Sequence, residues 1–256
     1  MKNDIMLNGI SIRENDPRIV VSGILDSQPK EKSIVTSMGY THGGRLTKTI
    51  RQELTASFTI GINESDAQER DAIYQSIRKW GRYAGYLTTG SRENQRLYVE
   101  TMEIKSSGKR QSEVIAITFT AYAKPFWENL GAQTASVSTA ATSGATTLSS
   151  PGNADECTVD AEITAVGGTL NTLTVTVGDT AMSFTSLPIV ANNKVIIAHT
   201  DAGLLTIKSG GGTSLMAKRT AASADELIAT PGASTAVSFT GNVTCTAKFT
   251  TRGRWL

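Results

Sequence analysis

Leu54, Ala56, Phe58, Ile60 and Ile62 alternate with Thr55, Ser57, Thr59 and Gly61, the two-residue period of a strand with one buried face. The period changes directly afterwards. Asn63-Glu64-Ser65-Asp66 supplies N-cap chemistry, and Ile73, Ile77 and Trp80 recur at helical spacing, which predicts a helix over residues 65–84 with Gly85 as its C-cap. Asp66 and Glu69 stand near its start, and Arg78, Lys79 and Arg82 near its end, where the helix dipole favours each sign. Ile73, Ile77 and Trp80 read as the stripe that the helix buries in the core. Tyr86-Leu87-Thr88 and residues 97–104 and 113–123 follow as strands rich in Val, Ile, Thr and aromatics, with Ser106-Ser107-Gly108-Lys109 as the hairpin turn between the last two. Strands, one helix and more strands make an α+β domain or a β-sandwich carrying one helix.

Residues 28–52 hold no sustained period and place Gly39, Gly43 and Gly44 among Lys30, Lys32, Arg45, Lys48 and Arg51. A loop of this length inside a compact domain is usually functional or mobile, but Ile34-Val35 can also open a hairpin arm, and the arm is the preferred reading. The pattern changes again after Pro125-Phe126-Trp127, which marks a domain junction. Residues 131–150 are almost wholly Ala, Ser, Thr and Gly without a single charge, which suits a linker or an exposed edge strand. Beyond them, short apolar strands are expected at 159–166, 173–177, 181–184, 195–198, 204–207, 237–239 and 243–249, separated by turn residues. No helix-length period competes, so the second domain reads as an all-β sandwich or jelly roll. The fold class is therefore mainly β with one α-helix. Its expected parts are an N-terminal domain over 1–130, the charge-free segment over 131–150 and a β-sandwich over 151–256.

Charge narrows the partners. The net charge is +2, and a cut after Leu130 leaves 18 basic and 15 acidic residues before it and 7 and 8 after it. Neither part carries the dense basic stripe that non-specific duplex binding requires. Residues 1–18 interrupt any apolar block with Asp4, Arg13, Glu14 and Asp16, so no secretory signal is expected there. No run approaches the roughly 18 apolar residues of a spanning helix, and no membrane insertion is expected.

The chemistry of catalysis is thinly represented. His42 and His199 are the two histidines, and no GxSxG, HExxH, EF-hand or P-loop pattern surrounds any candidate nucleophile or ligand. His42, in Thr41-His42-Gly43-Gly44, reads as a loop or subunit-contact residue. Gly210-Gly211-Gly212 lacks the Lys-Ser/Thr pair and following helix of a phosphate cradle and reads as a hairpin tip. A pair of glycosidase carboxylates among Asp155, Glu156, Asp160 and Glu162 cannot be recognised from spacing, and solvated strand residues are the preferred reading. Cys157 and Cys245 are the two cysteines and read as small buried hydrophobes, although they could face one another. No catalytic, cofactor-binding or metal residues are assigned.

Certain residues also fall in a familiar order. The Gly43-Gly44-Arg45 loop precedes the strand at 54–62. The helix then passes through Gln68-Glu69-Arg70, and Arg96-Leu97-Tyr98-Val99 and Ile117-Thr118-Phe119-Thr120-Ala121 lead into Lys124-Pro125-Phe126-Trp127. This succession resembles the N-terminal domain of the phage distal tail protein family, at the tail-tip hub of long non-contractile tails. Pro151-Gly152-Asn153-Ala154, Pro231-Gly232 and the closing Arg252-Gly253-Arg254-Trp255-Leu256 fit the same family's galectin-like β-sandwich. The resemblance implies a virion structural protein without enzymatic activity, assembled in the bacterial host cytoplasm and located at the tail tip. It implies a homohexameric ring between the tail-tube protein and the tail-tip hub protein, with a lumen through which DNA passes unbound and outer domains that can hold a receptor-binding protein. Such a ring needs heterologous contacts that close. An arm can provide them by adding strands to a neighbour, which makes Ile34, Val35, Tyr40, His42, Gly43, Gly44 and Arg45 the candidate subunit contacts. The alternatives are a tail-tube subunit and a carbohydrate-binding module for host attachment.

Overall fold

The computed structural model describes residues 4–25, 29–37, 44–62, 64–106, 113–154 and 156–256. The chain divides into two compact units, Met1–Trp127 with Leu256, and Glu128–Trp255. Both are built almost entirely from antiparallel strands.

The first unit contains β1 (Ile5–Leu7), β2 (Ile10–Ser11), the one-turn helix α1 (Ile12–Asn15), β3 (Ile19–Leu25), β4 (Pro29–Ser37), β5 (Gly44–Ile62), α2 (Ala67–Trp80), β6 (Gly85–Thr89), β7 (Gln95–Val99), β8 (Thr101–Ser106) and β9 (Glu113–Ala121). One sheet has the order β3-β5-β9-β8, with β4 also paired to β5, and a second joins β7, β6, β1 and β2. The alternation at 54–62 is realised in register with β9, from Leu54 opposite Ala121 to Ile62 opposite Glu113. Leu54, Phe58, Ile60, Ile62, Ile115, Ile117, Phe119 and Ala121 are buried on one face. The α2 stripe covers them: Ile73 and Ile77 are fully buried, and Trp80 meets Phe119 edge-on at 5.8 Å while its Nε1 donates to the Ile10 carbonyl at 2.9 Å. Burial of a large apolar side chain contributes about 1.5–3 kcal/mol, so this face anchors the helix.

Two boundaries differ from the sequence reading. The helix begins at Asp66, whose carboxylate accepts from the N–H groups of Gln68 and Glu69, and it ends at Gly81 rather than Gly85. After Trp80 no further apolar residue returns to the buried stripe, and Tyr83 is 69% exposed. A Cβ at Gly81 would lie 2.0 Å from Met102 Sδ, so the bare glycine lets the Met102 side chain of β8 pack against the end of the helix. Gly85 instead opens β6, and a Cβ there would collide with the Asn8 side chain. Residues 97–104 are likewise not one strand: β7 and β8 belong to different sheets and break at Glu100. The Glu100 carboxylate accepts from the N–H groups of Tyr122 and Ala123, which fixes the crossing. Of the turn expected at Ser106-Ser107-Gly108-Lys109, all but Ser106 lies outside the described residues.

Asp16 caps α1 and is buried, accepting from the Arg18 N–H, Nε and Nη2 at 3.1, 3.0 and 2.9 Å. The Arg18 hydrogen bonds hold its carboxyl below the usual carboxylate range, against the opposing effect of burial. A carboxylate with a depressed folded-state pKa stabilises the protein fully above its unfolded value of about 3.9, and that stability is lost as pH falls through the folded value. Asp16→Asn should therefore cost about 1 kcal/mol at pH 7. In thermal melts the gap to the wild type should begin to narrow below about pH 4, where the unfolded carboxylate protonates, and close as pH falls through the lower folded-state value.

In the chain, β10 (Trp127–Asn129) spans the division between the units. The second unit continues with β11 (Gln133–Ser150), β12 (Cys157–Ala165), β13 (Leu173–Val177), β14 (Thr180–Phe184), β15 (Lys194–His199), β16 (Leu205–Ser209), a 3₁₀ turn (Met216–Lys218), β17 (Ile228–Ala229), β18 (Ala233–Thr251) and β19 (Arg254–Trp255). One curled sheet has the order β14-β13-β18-β12-β15-β16, with β11 paired to β18 and β17 to β12. Its concave face closes over Val159, Ile163, Val175, Phe184, Val237, Phe239 and Phe249, all buried. The segments 237–239 and 243–249 are parts of the single 19-residue β18. Its middle turns the sheet: Gly241 leaves room for Leu170, and Asn242 Oδ1 accepts from the Asn171 and Thr172 N–H groups. Residues 131–150, open to either a linker or an edge strand on composition, hold the 18-residue strand β11. Among the described residues, no helix is long and apolar enough to cross a membrane.

Candidate assembly interface

β5 is longer than the sheet that holds it. Its residues 54–62 have β9 along one edge, and 57–62 have β3 along the other. Residues 44–53 are paired with β4 alone among the described residues, in a ladder from Pro29 opposite Leu54 to Ser37 opposite Gly44. The result is a two-stranded ribbon that continues past the sheet, with register shifts at Lys30/Glu31 and Ile34/Val35. At its base Lys30 Nζ meets Glu53 Oε1 at 3.1 Å. An isolated two-stranded hairpin is marginal in water, and a third strand or a packed face is what stabilises one.

Four of the candidate contacts fall on this ribbon. Ile34 stands opposite Lys48, Val35 opposite Leu46, Arg45 opposite Thr36 and Gly44 opposite Ser37. Tyr40, His42 and Gly43 lie outside the described residues. Of the junction residues, Trp127 is buried with the Arg92 guanidinium 5.0 Å from its ring centroid, and the Phe126 N–H donates to the Lys124 carbonyl at 2.8 Å. Pro125 precedes them, outside any helix or strand.

A further surface was not singled out from sequence. The face of β5 and β9 opposite the core presents Thr55, Ser57, Thr59 and Gly61 beside Thr120, Thr118, Ala116 and Val114, eight positions without a charge. Val20 is 57% and Val114 47% exposed, and both stand opposite Gly61. The signal was present in the alternation at 54–62, whose polar half is Thr, Ser, Thr and Gly.

The remaining candidate chemistry is used structurally. Asp160 Oδ1 accepts from the His199 N–H at 3.0 Å and lies 2.8 Å from its Nδ1. Among the described residues His199 Nε2 is buried without a hydrogen-bond partner, so none of their hydroxyls or thiols completes a nucleophilic triad there. Glu162 pairs with Lys194 at 2.7 Å, and Asp155 lies outside the described residues. Gly210 and Gly212 close the tight turn between β16 and the segment that folds back on it, with the Gly212 N–H donating to the Ser209 carbonyl. Cys157 and Cys245 are free and buried, and burial pushes both thiols up. Cys245 stands opposite Ala165, eight residues along β12 from Cys157, or about 26 Å at the rise of a strand. They do not face one another. Phe184, Phe239 and Phe249 are core residues, and Trp255 donates Nε1 to Asn129 Oδ1 at 2.8 Å, which leaves no stacked aromatic platform among them for a sugar. Among the described residues, no cluster of three His, Cys, Asp or Glu side chains could hold a metal ion.

The motifs of the second unit meet at one place. Gly152 bridges to Arg254, whose carbonyl accepts from the Asn153 and Ala154 N–H groups, while the Gly232 N–H donates to the Ser150 carbonyl at 2.6 Å. Arg254 is buried and donates to the Glu156 carbonyl and to Thr158 Oγ1, and burial depresses its pKa. The three glycine turns at 151–154, 231–232 and 252–255 thus form one closure of the second unit.

No protein-family model matches the sequence, and no curated protein matches it. Among solved structures, the chain is similar to the Dit protein of phage SPP1, described as a paradigm of the hub adsorption apparatus in phages infecting Gram-positive bacteria. The TM-score is 0.72 at 10% sequence identity, covering 99% of each chain. The phage P2 baseplate in its activated conformation with Ca is also similar, with a TM-score of 0.46 and 12% identity over 93% of this chain and 91% of that one. Across both of its units, the chain has the fold of a phage distal tail, or hub, protein.

Proposed function

We propose that this protein is a structural component of a phage tail tip: a distal tail protein that forms a homohexameric ring between the tail tube and the hub and baseplate. The observation that carries the reading is the likeness in fold to the SPP1 Dit protein over 99% of both chains. A likeness confined to one unit would speak for a shared module, whereas this one spans both. The β4–β5 ribbon supports it, because a two-stranded extension gains most from a neighbour that supplies further strands. The first unit is proposed as the ring-forming domain and the second as the peripheral domain, with the junction at Pro125-Phe126-Trp127. DNA passes through the lumen without being gripped, in keeping with a chain of net charge +2 and no basic stripe. The protein acts without catalysis, assembles in the host cytoplasm and works at the virion's tail tip, where its outer domains can hold a receptor-binding protein.

Negative-stain microscopy together with the particle mass in solution tests the proposal. Discrete single or double rings are expected. Long stacks under mild conditions would indicate a tail-tube subunit instead, and a strictly monomeric protein at high concentration would rule out both.

A further inference from the structure

An exposed strand edge offers unpaired N–H and C=O groups to any other strand, and natural sheets protect such edges with charge, bulges or covering loops. Several edges among the described residues follow the rule. In the second unit, β16 is covered by the segment after it, through the Leu215 N–H to the Ile207 carbonyl and the Ser209 N–H to the Thr213 carbonyl. β14 is covered in the same way, by the N–H groups of Thr220 and Ala224 and the hydroxyl of Ser223. In the first unit, β8 presents exposed Glu103 and Lys105, β4 presents exposed Lys30, Glu31 and Lys32, and β3 is bulged between Val21 and Gly23.

β11 has none of these devices over its last eight residues. Ser143 to Ser150 pair with β18 in unbroken register, from Ser143 opposite Thr240 to Ser150 opposite Ala233. The other edge of this run has no strand beside it among the described residues. Ser143, Ala145, Thr147 and Ser149 are exposed, and no charge occurs anywhere in residues 131–150. The irregularity in β11 lies upstream, between Val137 and Ser143, and leaves this run straight.

We infer that the free edge of residues 143–150 pairs with the same edge of a second copy of this chain, antiparallel about a two-fold axis. The lack of charge selects that occupant. A charged edge would place like charges opposite each other when paired with itself, which is destabilising, whereas Thr and Ser opposite Thr and Ser form favourable cross-strand pairs. An uncharged edge also offers nothing to select a charged peptide. The contact is isologous, so it closes on two copies and differs in kind from the heterologous contacts of a ring. It does not depend on the ring being formed.

Cysteine cross-linking of the full chain tests it, with the wild type as background because Cys157 and Cys245 are buried. Single cysteines are placed at Ser143, Ala145, Thr147 and Ser149, and disulfide-linked dimers are measured after mild oxidation. About a two-fold axis a residue meets its own copy only near the axis, so one position, or two adjacent ones, should cross-link and the others should not. Adding two lysines elsewhere on the edge at these exposed positions should reduce the linked dimer about tenfold or more through like-charge opposition, with the melting temperature unchanged. The same cross-link should persist in a variant whose ribbon has been removed and whose ring is lost, which separates this inference from the proposed function. Absence of any cross-link, equal cross-linking at all four positions, or survival of the cross-link in the lysine variant would overturn it.

Discussion

Replacing residues 32–50 with Asn-Gly is expected to leave a folded protein that no longer forms rings. Glu31 and Arg51 are direct partners in the β4–β5 ladder, so a two-residue turn of the type favoured in hairpins can close the shortened ribbon without shifting its register. The core is untouched by this change. Leu54, Phe58, Ile60 and Ile62 lie beyond the cut, and their pairing with β3 and β9 is retained. The stability of the first unit should therefore change by no more than about 0.5 kcal/mol, as for surface changes away from packed features. Size-exclusion chromatography with light scattering should report the mass of a single copy, or of the two-copy species, in place of a hexamer. Intact hexamers after the replacement would place the ring contact elsewhere. The uncharged face of β5 and β9, with Val20 and Val114, would then be the next surface to alter.

The largest effect on stability is expected from Gly152→Ala. Gly152 has a φ of +139°, and a Cβ there would stand 2.1 Å from the Arg254 carbonyl oxygen and 2.8 Å from its nitrogen. Both obstacles are backbone, so no side chain can swing aside. The chain would have to part at the crossing that holds the Asn153 and Ala154 N–H groups on Arg254 and keeps the Arg254 guanidinium buried against Glu156 and Thr158. The cost should be about 3 kcal/mol or more, the range reached when a special backbone position and a buried polar network fail together. Gly253→Ala should behave similarly, since its Cβ would meet the Pro151 carbonyl at 2.3 Å, whereas Gly131→Ala meets nothing within 4 Å and should be neutral. Denaturant unfolding of the three variants checks this. A Gly152→Ala midpoint equal to that of Gly131→Ala would mean that the crossing relaxes and does not constrain the unit.

The parts of the fold legible from sequence were those whose cause is local. The alternation at 54–62 and the stripe of Ile73, Ile77 and Trp80 each encode a buried face within one element, and Asp66 caps its helix through neighbours two and three residues away. Boundaries were misplaced where a distant residue sets them. Gly81 ends α2 beside Met102, Gly85 makes room for Asn8, and Glu100 breaks the 97–104 run by binding the N–H groups of Tyr122 and Ala123. β11 was ambiguous because a strand of Ala, Ser and Thr has no apolar–polar contrast to reveal its period. Its regularity comes from β18, about a hundred residues later in the chain.

The candidate interface divides in the same way. The residues of the arm could be named from their glycines and from Ile34-Val35, but that β9 stops at Leu54 and leaves residues 44–53 paired with β4 alone among the described residues depends on a strand distant in the chain. Cys245 of β18 stands opposite Ala165, eight residues along β12 from Cys157, a separation invisible until the strands are aligned. By itself the sequence determined the β-rich class, the helix and its cap and the poverty of catalytic motifs, because each depends on residue type and short-range period. The tertiary structure alone decided that three weak glycine motifs close one unit, that β5 outruns its sheet and that residues 143–150 of β11 pair on one side alone among the described residues. These depend on which distant backbones come to lie side by side, and hydrophobic patterning within a segment carries no information about its partner.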